Sequence, residues 1–283
     1  MTPTAGLSLK PQHYAEALAT PAVGQWFEVH PENYMCEGGP RLAWLAAIRE
    51  RHPLSLHGVG LSLAASEDPD RVHLVALKKL ADRFEPFVIS EHLAWSQRGG
   101  IYNPDLLPFP RTLDALQRIV ANVSQAQDVL QRRILIENPS LYLDLQGHEM
   151  SEVDLLSELA KRSGCGLLID VNNVFVSANN LGFEAEAYID AIPAAAIGEI
   201  HLAGHRPDIA VGENLLIDTH GEAVSEDVWT LFQRLVTRIG PRATLIERDD
   251  NIPAFDELLT ERHRAGAMLE AASARADREL AHA

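Results

Sequence analysis

The stretch GLLIDVNN, residues 166–173, carries the pattern that decides the fold, because a short apolar run stops abruptly at polar side chains. Gly166 to Ile169 has the length of a buried strand, and Asp170, Asn172 and Asn173 follow it directly. The same arrangement recurs along the chain. It predicts eight strands, near Trp26 to His30, Leu54 to Val59, Phe87 to Ser90, Arg133 to Ile136, Gly166 to Ile169, Ile197 to Leu202, Leu215 to Ile217 and Thr244 to Ile246.

Amphipathic helices separate most of these strands. Between Pro110 and Gln131, and again between Ser225 and Ile239, apolar residues recur at three- and four-residue spacing and form one stripe. Ser151 with Asp154 is a capping-box pattern that predicts the start of another helix. Strands that alternate with helices indicate parallel βαβ units, and none of these strands has the character of a sheet edge. We therefore expect an α/β fold, a single (β/α)8 TIM barrel.

Length and composition fit one domain. The 283 residues suit a barrel, which typically needs about 250. Hydrophobic residues make up 46% of the chain and charged residues 23%, which is ordinary for a globular enzyme. Because no linker or repeat marks a boundary, we predict a single domain over residues 1–283. Within it we expect the barrel at about residues 6–258 and a C-terminal helix or tail at about residues 259–283.

Charge and hydropathy exclude several classes of partner. The formal net charge of -16 disfavours nucleic acid, since phosphate binding depends on clustered Lys and Arg. No apolar run reaches the roughly 20 residues of a membrane span, and the N-terminus lacks a signal-peptide pattern. Cys36 and Cys165 form no CxxC pair, which disfavours a thiolate zinc site. We expect a cytoplasmic protein with neither nucleic acid nor membrane as its partner.

Every predicted strand ends in a His, an acid or an Asn. The carboxyl ends of parallel barrel strands meet at one mouth, where barrel enzymes place their chemistry. Side chains that are far apart in sequence would become neighbours there. The strongest candidate metal ligands are His57, His92, Glu137, Asp170, Asn173, His201, Asp218, His220 and Glu247.

This set indicates more than one metal ion. A lone His after a strand is more often structural than a ligand, but a His or acid at every strand end is hard to obtain from packing. Burying several like charges without a cation costs too much. One ion takes about four to six ligands, and nine candidates exceed that number. Nitrogen and oxygen donors suit iron, with manganese or zinc as alternatives, and four imidazoles make magnesium or calcium alone a poorer match.

The residues leave three functions open. There is no GxGxxG, GxxxxGK[ST], HExxH or GxSxG motif, so nucleotide-cofactor and serine-hydrolase chemistry have no support. The first possibility is a metal-dependent redox enzyme. The second is a metal-dependent TIM-barrel hydrolase or sugar isomerase of the endonuclease or xylose-isomerase kind. The third is a non-catalytic metal-binding protein.

Nine collinear segments between about Gly6 and Leu258 resemble the family catalogued as domain of unknown function 692, whose members include MbnB of methanobactin biosynthesis and the peptide-modifying TglH. The segments are EVHPENYM, SLHGVGLSL, ISEHLAW, LLPFP, LIENPSLYL, LLIDVNNVFVSANN, IHLAGH, LIDTHG and LIERDDNIP. The resemblance implies two or three iron ions, in mixed Fe(II) and Fe(III) states, that use dioxygen to oxidise a cysteine of a ribosomally made precursor peptide. It also implies a partner protein that presents this peptide.

The family's ligands fall on the nine candidates chosen above. We expect the central pair of ions to lie among His57, His92, Glu137, Asp170, His201 and Glu247, and the third ion among Asn173, Asp218 and His220. We predict catalytic roles for Glu137, Glu247 and Asp249, with Asp249 as a candidate for proton handling.

Overall fold

The computed structural model describes residues 4–21 and 23–282 as strands that alternate with helices. Its strands are β1 (Ala5–Ser8), β2 (Phe27–Val29), β3 (Leu54–Gly58), β4 (Val88–His92), β5 (Trp95–Arg98), β6 (Ile101–Leu107), β7 (Leu135–Glu137), β8 (Gly166–Asp170), β9 (Ile197–Leu202), β10 (Arg206–Asp208), β11 (Gly212–Ile217) and β12 (Ala243–Ile246). Its α-helices are α1 (Tyr14–Ala19), α2 (Pro40–Arg49), α3 (Arg71–Phe84), α4 (Leu113–Leu130), α5 (Glu152–Ser163), α6 (Val171–Leu181), α7 (Ala185–Ala191), α8 (Glu226–Ile239) and α9 (Phe255–His282).

Eight strands close into a barrel in the order β1, β12, β9, β8, β7, β4, β3 and β2, and β2 returns to β1. Every neighbouring pair in this ring is parallel. The predicted (β/α)8 barrel is therefore confirmed. The predicted single domain includes residues 1–3, 22 and 283, which lie outside the described part of the chain, and its internal bounds stay a prediction.

The identity of one barrel strand was predicted wrongly. The barrel begins with β1, which the sequence did not mark because this strand has four residues and a weak apolar run. Gly6 within it lies against Trp26, and a Cβ at position 6 would come within 2.3 Å of that ring. The predicted strand Leu215 to Ile217 lies instead in β11, which pairs antiparallel with β10 outside the barrel. Its apolar residues pack in a hairpin rather than in the barrel wall.

The helices form where the sequence predicts them. α4 lies inside the predicted span Pro110 to Gln131, and Thr112 Oγ1 caps it by accepting from Ala115 N at 3.1 Å. Ser151 Oγ accepts from Asp154 N at 3.1 Å, which confirms the capping box at the start of α5. Among the described residues, no helix is both long and apolar enough to cross a membrane.

Two antiparallel hairpins extend the carboxyl ends of barrel strands. β5 and β6 pair after β4, and β10 and β11 pair after β9. Because barrel strands point their carboxyl ends to one side, both hairpins stand on the side of the mouth. The fold thus places a rigid ring of strand ends below two hairpins.

Candidate metal centre

The register of the barrel brings polar strand ends side by side at the mouth. His92 at the end of β4 pairs with Glu137 at the end of β7, and Asp170 on β8 pairs with His201 on β9. Glu247 follows β12, which pairs with β9. Backbone hydrogen bonding alone therefore gathers these side chains, before any loop is considered.

Two imidazoles and one carboxylate form the first group of the site. The Nε2 atoms of His57 and His92 are 3.3 Å apart, and each lies 3.2 Å from Oε2 of Glu137. The other nitrogen of each ring is held, since Nδ1 of His57 contacts Ser90 Oγ at 2.8 Å and Nδ1 of His92 contacts Gly58 O at 2.8 Å. Both rings are thereby fixed with Nε2 toward the carboxylate, as in metal sites with oriented histidines.

Glu137 connects this part of the site to a second group. Nδ1 of His201 lies 3.1 Å from Oε2 of Glu247 and 3.9 Å from Oε1 of Glu137. Although burial opposes its ionisation, the charges of His92 and His57 hold the pKa of Glu137 at about 2. A carboxylate whose two oxygens face different imidazoles is well placed to bridge two cations.

A third group lies on the other side of Glu247. Nε2 of His220 is 2.8 Å from Oδ1 of Asp218, and its Nδ1 is 3.4 Å from Oε2 of Glu247. Asn172 fixes this group by donating from Nδ2 to Asp218 Oδ1 at 2.6 Å. The side chains of Asp218 and His220 are 13% and 12% exposed, whereas Glu247 is 4% exposed. Glu247 therefore stands between the second and third groups.

Asp170 and Asn173 complete the predicted set. β8 passes directly into α6, and Asp170 Oδ1 caps this helix by accepting from Asn173 N at 2.7 Å. Asn173 donates its side-chain amide to Asn138 O at 3.0 Å. The remaining oxygens, Asp170 Oδ2 and Asn173 Oδ1, have no hydrogen-bond partner among the described residues. Each side chain thus keeps one oxygen available for a ligand.

A cavity of about 310 Å³ lies above the site. Its lining includes His92, Asn173, Asp218, His220 and Glu247. Asp170 lies with Glu137 and His201 in one of the clusters whose ligand atoms are all within 4.8 Å of one another. The structure thus brings the nine predicted ligands to one mouth, and their assignment as metal ligands stays a prediction.

The donor atoms fit a multinuclear metal site. Four buried donor atoms of the candidate ligands lack an aligned hydrogen-bond partner among the described residues, namely Glu137 Oε2, Asp170 Oδ2, Asn173 Oδ1 and His220 Nε2. Glu137 Oε2 belongs to this set because the nearby imidazole nitrogens lie outside hydrogen-bonding angles. Leaving such atoms buried and unpaired is costly, and cations between them would remove that cost. A mixture of nitrogen and oxygen donors suits first-row transition ions.

Asp249 lies at the rim and is 36% exposed. It contacts Lys10, and its carboxylate lies 3.5 Å from Nδ1 of His220 and 3.8 Å from Nε2 of His30. Although partial burial opposes ionisation, the contacts with His220 and His30 and the charge of Lys10 hold its pKa well below the usual range. Such a carboxylate is a weak proton acceptor at neutral pH. Its surroundings favour a role in balancing positive charge.

A set of polar residues beneath the site was not predicted from the sequence. Each stands two residues before a histidine on, or directly after, the same strand, and side chains two apart share one face of a strand. They are Glu28 before His30, Ser55 before His57, Ser90 before His92 and Glu199 before His201. All four are buried. This period-two spacing is the signal that could have found them.

Relatives match along the whole chain. The UPF0276 protein of Caulobacter vibrioides (strain NA1000 / CB15N) is 67% identical over 282 residues, covering 100% of both chains. The UPF0276 protein of Bordetella bronchiseptica is 48% identical over 266 residues, which is 94% of this chain and 92% of that one.

Solved structures share the barrel at low sequence identity. An L-ribulose 3-epimerase superimposes with a TM-score of 0.61 at 15% identity, covering 99% of this chain and 98% of that one. Endonuclease IV from Thermus thermophilus superimposes with a TM-score of 0.59 at 16% identity, covering 95% and 99%. At this level of sequence identity, the structural similarity shows a shared fold and nothing about function. The model of the RiPP precursor modification enzymes MbnB, TglH and ChrH, by contrast, matches residues 4–270. This chain therefore belongs to the MbnB/TglH/ChrH family of RiPP precursor modification enzymes.

Proposed function

We propose that this protein is a multinuclear non-haem iron enzyme that uses dioxygen to oxidise a cysteine in a ribosomally made precursor peptide. The observation that carries the proposal is the position of Glu137, whose two oxygens face His57 and His92 on one side and His201 on the other. Family membership supports the peptide substrate. Iron bound here would supply the redox chemistry with dioxygen, as iron does in other non-haem oxygenases.

The chain's own residues would hold and separate the ions. His57, His92 and Glu137 suit one ion, and His201 with Glu247 suits a second one that shares Glu137. Asp218, His220 and Asn173 suit a third, closer to the cavity.

The cavity above these groups would receive the cysteine side chain. It is partly enclosed and is lined by both ligand candidates and rim residues, including Tyr142 and Ser140. A side chain that enters it meets His92, Asp218 and His220 directly. Enclosure holds reactants together and limits the access of water, which favours a controlled oxidation.

We also propose that a partner protein presents the peptide at the mouth. The two hairpins beside the mouth carry exposed apolar side chains, namely Ile101 (68%), Tyr102 (56%) and Leu106 (43%) on β6, and Ile209 (91%) and Val211 (52%) on the β10–β11 turn. Exposed apolar residues near a site are typical of surfaces that bind another chain. Leu106 also lines the cavity, so this surface continues into the site.

The test is oxygen consumption by the iron-loaded protein with a cysteine-containing peptide and a candidate partner protein. We expect oxygen uptake and a mass change in the peptide, neither of which should occur with the same peptide carrying Ser in place of Cys. Zinc-loaded protein is the matched control for metal binding without redox chemistry. Equal turnover without oxygen would instead support a hydrolase or isomerase. Bound iron without any reaction would support a metal-binding protein.

A further inference from the structure

Beneath the candidate metal centre lies a buried polar layer formed by Glu28, Ser55 and Glu199, which we call the floor. Glu28 is on β2, Ser55 on β3 and Glu199 on β9. They are 3%, 0% and 0% exposed. Two carboxylates in a closed barrel interior are costly unless they serve a neighbour. The neighbour that both face is His201, with which they form a cluster whose ligand atoms lie within 4.8 Å of one another.

His201 spans the space between the floor and the metal centre. Its Nδ1 lies 3.1 Å from Oε2 of Glu247, on the side of the predicted ligands. Its Nε2 lies 3.2 Å from Oε1 of Glu28, on the side of the floor. The second contact is close, but its angle departs from that of an aligned hydrogen bond.

Glu28 is itself held in place. Ser55 Oγ donates to Oε2 of Glu28 at 2.7 Å, which leaves Oε1 to face His201. An imidazole that binds a metal ion through Nδ1 carries its proton on Nε2. For His201 the acceptor beside that proton is Oε1 of Glu28.

The other inner imidazoles are supported differently. Nδ1 of His57 contacts the hydroxyl of Ser90, and Nδ1 of His92 contacts the carbonyl of Gly58. Both of these partners are neutral. A carboxylate partner raises the basicity of a metal-bound histidine more than a neutral oxygen does, because the negative charge stabilises the proton on the far nitrogen.

We propose that Glu28 is a positioning residue that accepts a hydrogen bond from Nε2 of His201, so that His201 offers Nδ1 to the metal centre and is the most strongly donating of the three inner imidazoles, His57, His92 and His201. The proposal rests on the metal-binding part of the proposed function and not on the peptide or on dioxygen. It assigns a role to Glu28 and, through its hydrogen bond, to Ser55.

The test compares metal binding by metal-free wild-type protein, Glu28→Gln and Ser90→Ala, with Fe(II) under anaerobic conditions and with Co(II). Gln has the size of Glu and keeps an oxygen acceptor, so Glu28→Gln removes the charge alone. We expect Glu28→Gln to weaken the binding of one ion by roughly 10- to 100-fold and to change the visible absorption of the Co(II) protein. Ser90→Ala, which removes a neutral partner of His57, should weaken binding less.

The same experiment includes a control for correct folding of the variants. Gln keeps the size and the hydrogen-bonding capacity of Glu28, so metal-free Glu28→Gln should keep the circular dichroism spectrum and the cooperative unfolding transition of the wild type. Ser55→Ala provides a second route, since it loosens Glu28 without touching His201. It should shift Co(II) absorption in the same direction as Glu28→Gln, by a smaller amount.

Several outcomes would overturn the proposal. One is Glu28→Gln protein with wild-type affinity and an unchanged Co(II) spectrum. Another is the loss of one whole ion in both single variants, Glu199→Gln and Glu28→Gln. That result would mean that the floor itself binds a cation. If the wild type binds neither Fe(II) nor Co(II), the proposed function fails as well. If the wild type binds metal and Glu28→Gln binds it equally well, only the role of Glu28 is overturned and the proposed function stands.

Discussion

The inner and outer parts of the mouth differ in how the fold holds them. The inner group sits on barrel strands; His57, Glu137 and His201 are at most 2% exposed, and His92, at the end of β4, is 17% exposed. The outer group, Asp218 and His220, follows the β10–β11 hairpin and is 12% to 13% exposed. Parallel backbone pairing sets the inner positions, whereas loop geometry sets the outer ones. We therefore infer that inner ions are held tightly and that an outer ion exchanges more readily.

The largest expected effect is from Glu137→Gln. The amide keeps the size of the side chain but removes the negative charge that faces His57, His92 and His201. Both inner ions share this carboxylate, so we expect the purified variant to lose more than one ion per chain and all turnover. Metal analysis by mass spectrometry measures this directly. The matched control is Glu158→Gln, a change at a solvent-exposed ion pair on α5 that should retain full metal content.

A smaller and more selective effect is expected at the outer group. His220 has a φ of 48°, a left-handed conformation that Asn adopts more readily than most residues, so His220→Asn removes the imidazole with little backbone strain. We expect this variant to lose the outer ion and to keep the inner ones. A variant that loses every ion would instead show that the inner and outer parts of the mouth bind their ions as one cooperative unit.

At the rim, Asp249→Asn should leave the metal content unchanged. Burial lowers the pKa of His30, but its contact with Asp249 outweighs this and raises that pKa to about 9. Removing the carboxylate charge should move the pKa of His30 back toward its ordinary value near 6.5. NMR titration of the His30 ring measures this shift. An unchanged pKa would mean that other charges of the centre, rather than Asp249, hold the proton on His30.

Sequence reasoning succeeded where strand register decides position. Ligand candidates such as Glu137 and His201 end apolar runs, and a closed parallel barrel must bring such ends together. It failed at β1 because Ala5–Ser8 is too short to give a periodic signal. It failed at Leu215 to Ile217 because an apolar run does not reveal whether its strand joins the barrel or a hairpin. Glu28 and Glu199 were not selected because the sequence does not show which side chains a polar residue inside a strand contacts across the barrel.

The smallest effect is expected outside the metal centre, at Glu152 on α5. This residue shows how burial shifts a carboxyl pKa where no imidazole lies beside it. Glu152 accepts a hydrogen bond from Tyr188 Oη at 2.8 Å and has no histidine partner. Desolvation raises its pKa to about 7, whereas imidazoles hold the pKa of the more deeply buried Glu137 at about 2. Since the folded state binds this proton more tightly than the unfolded state does, the stability of the fold should fall as the pH rises from the carboxyl's ordinary value of 4.5 to about 7.

Glu152→Gln removes this pH-dependent loss and keeps an acceptor for Tyr188. The variant should therefore unfold at a higher temperature than the wild type above pH 7, at a similar temperature in acid, and with unchanged metal content. Equal unfolding temperatures at every pH would mean that solvent reaches Glu152 well enough to stabilise its charge. Burial would then be too weak on this side of the barrel to raise a carboxyl pKa, and the contrast with Glu137 would depend on depth as well as on imidazoles.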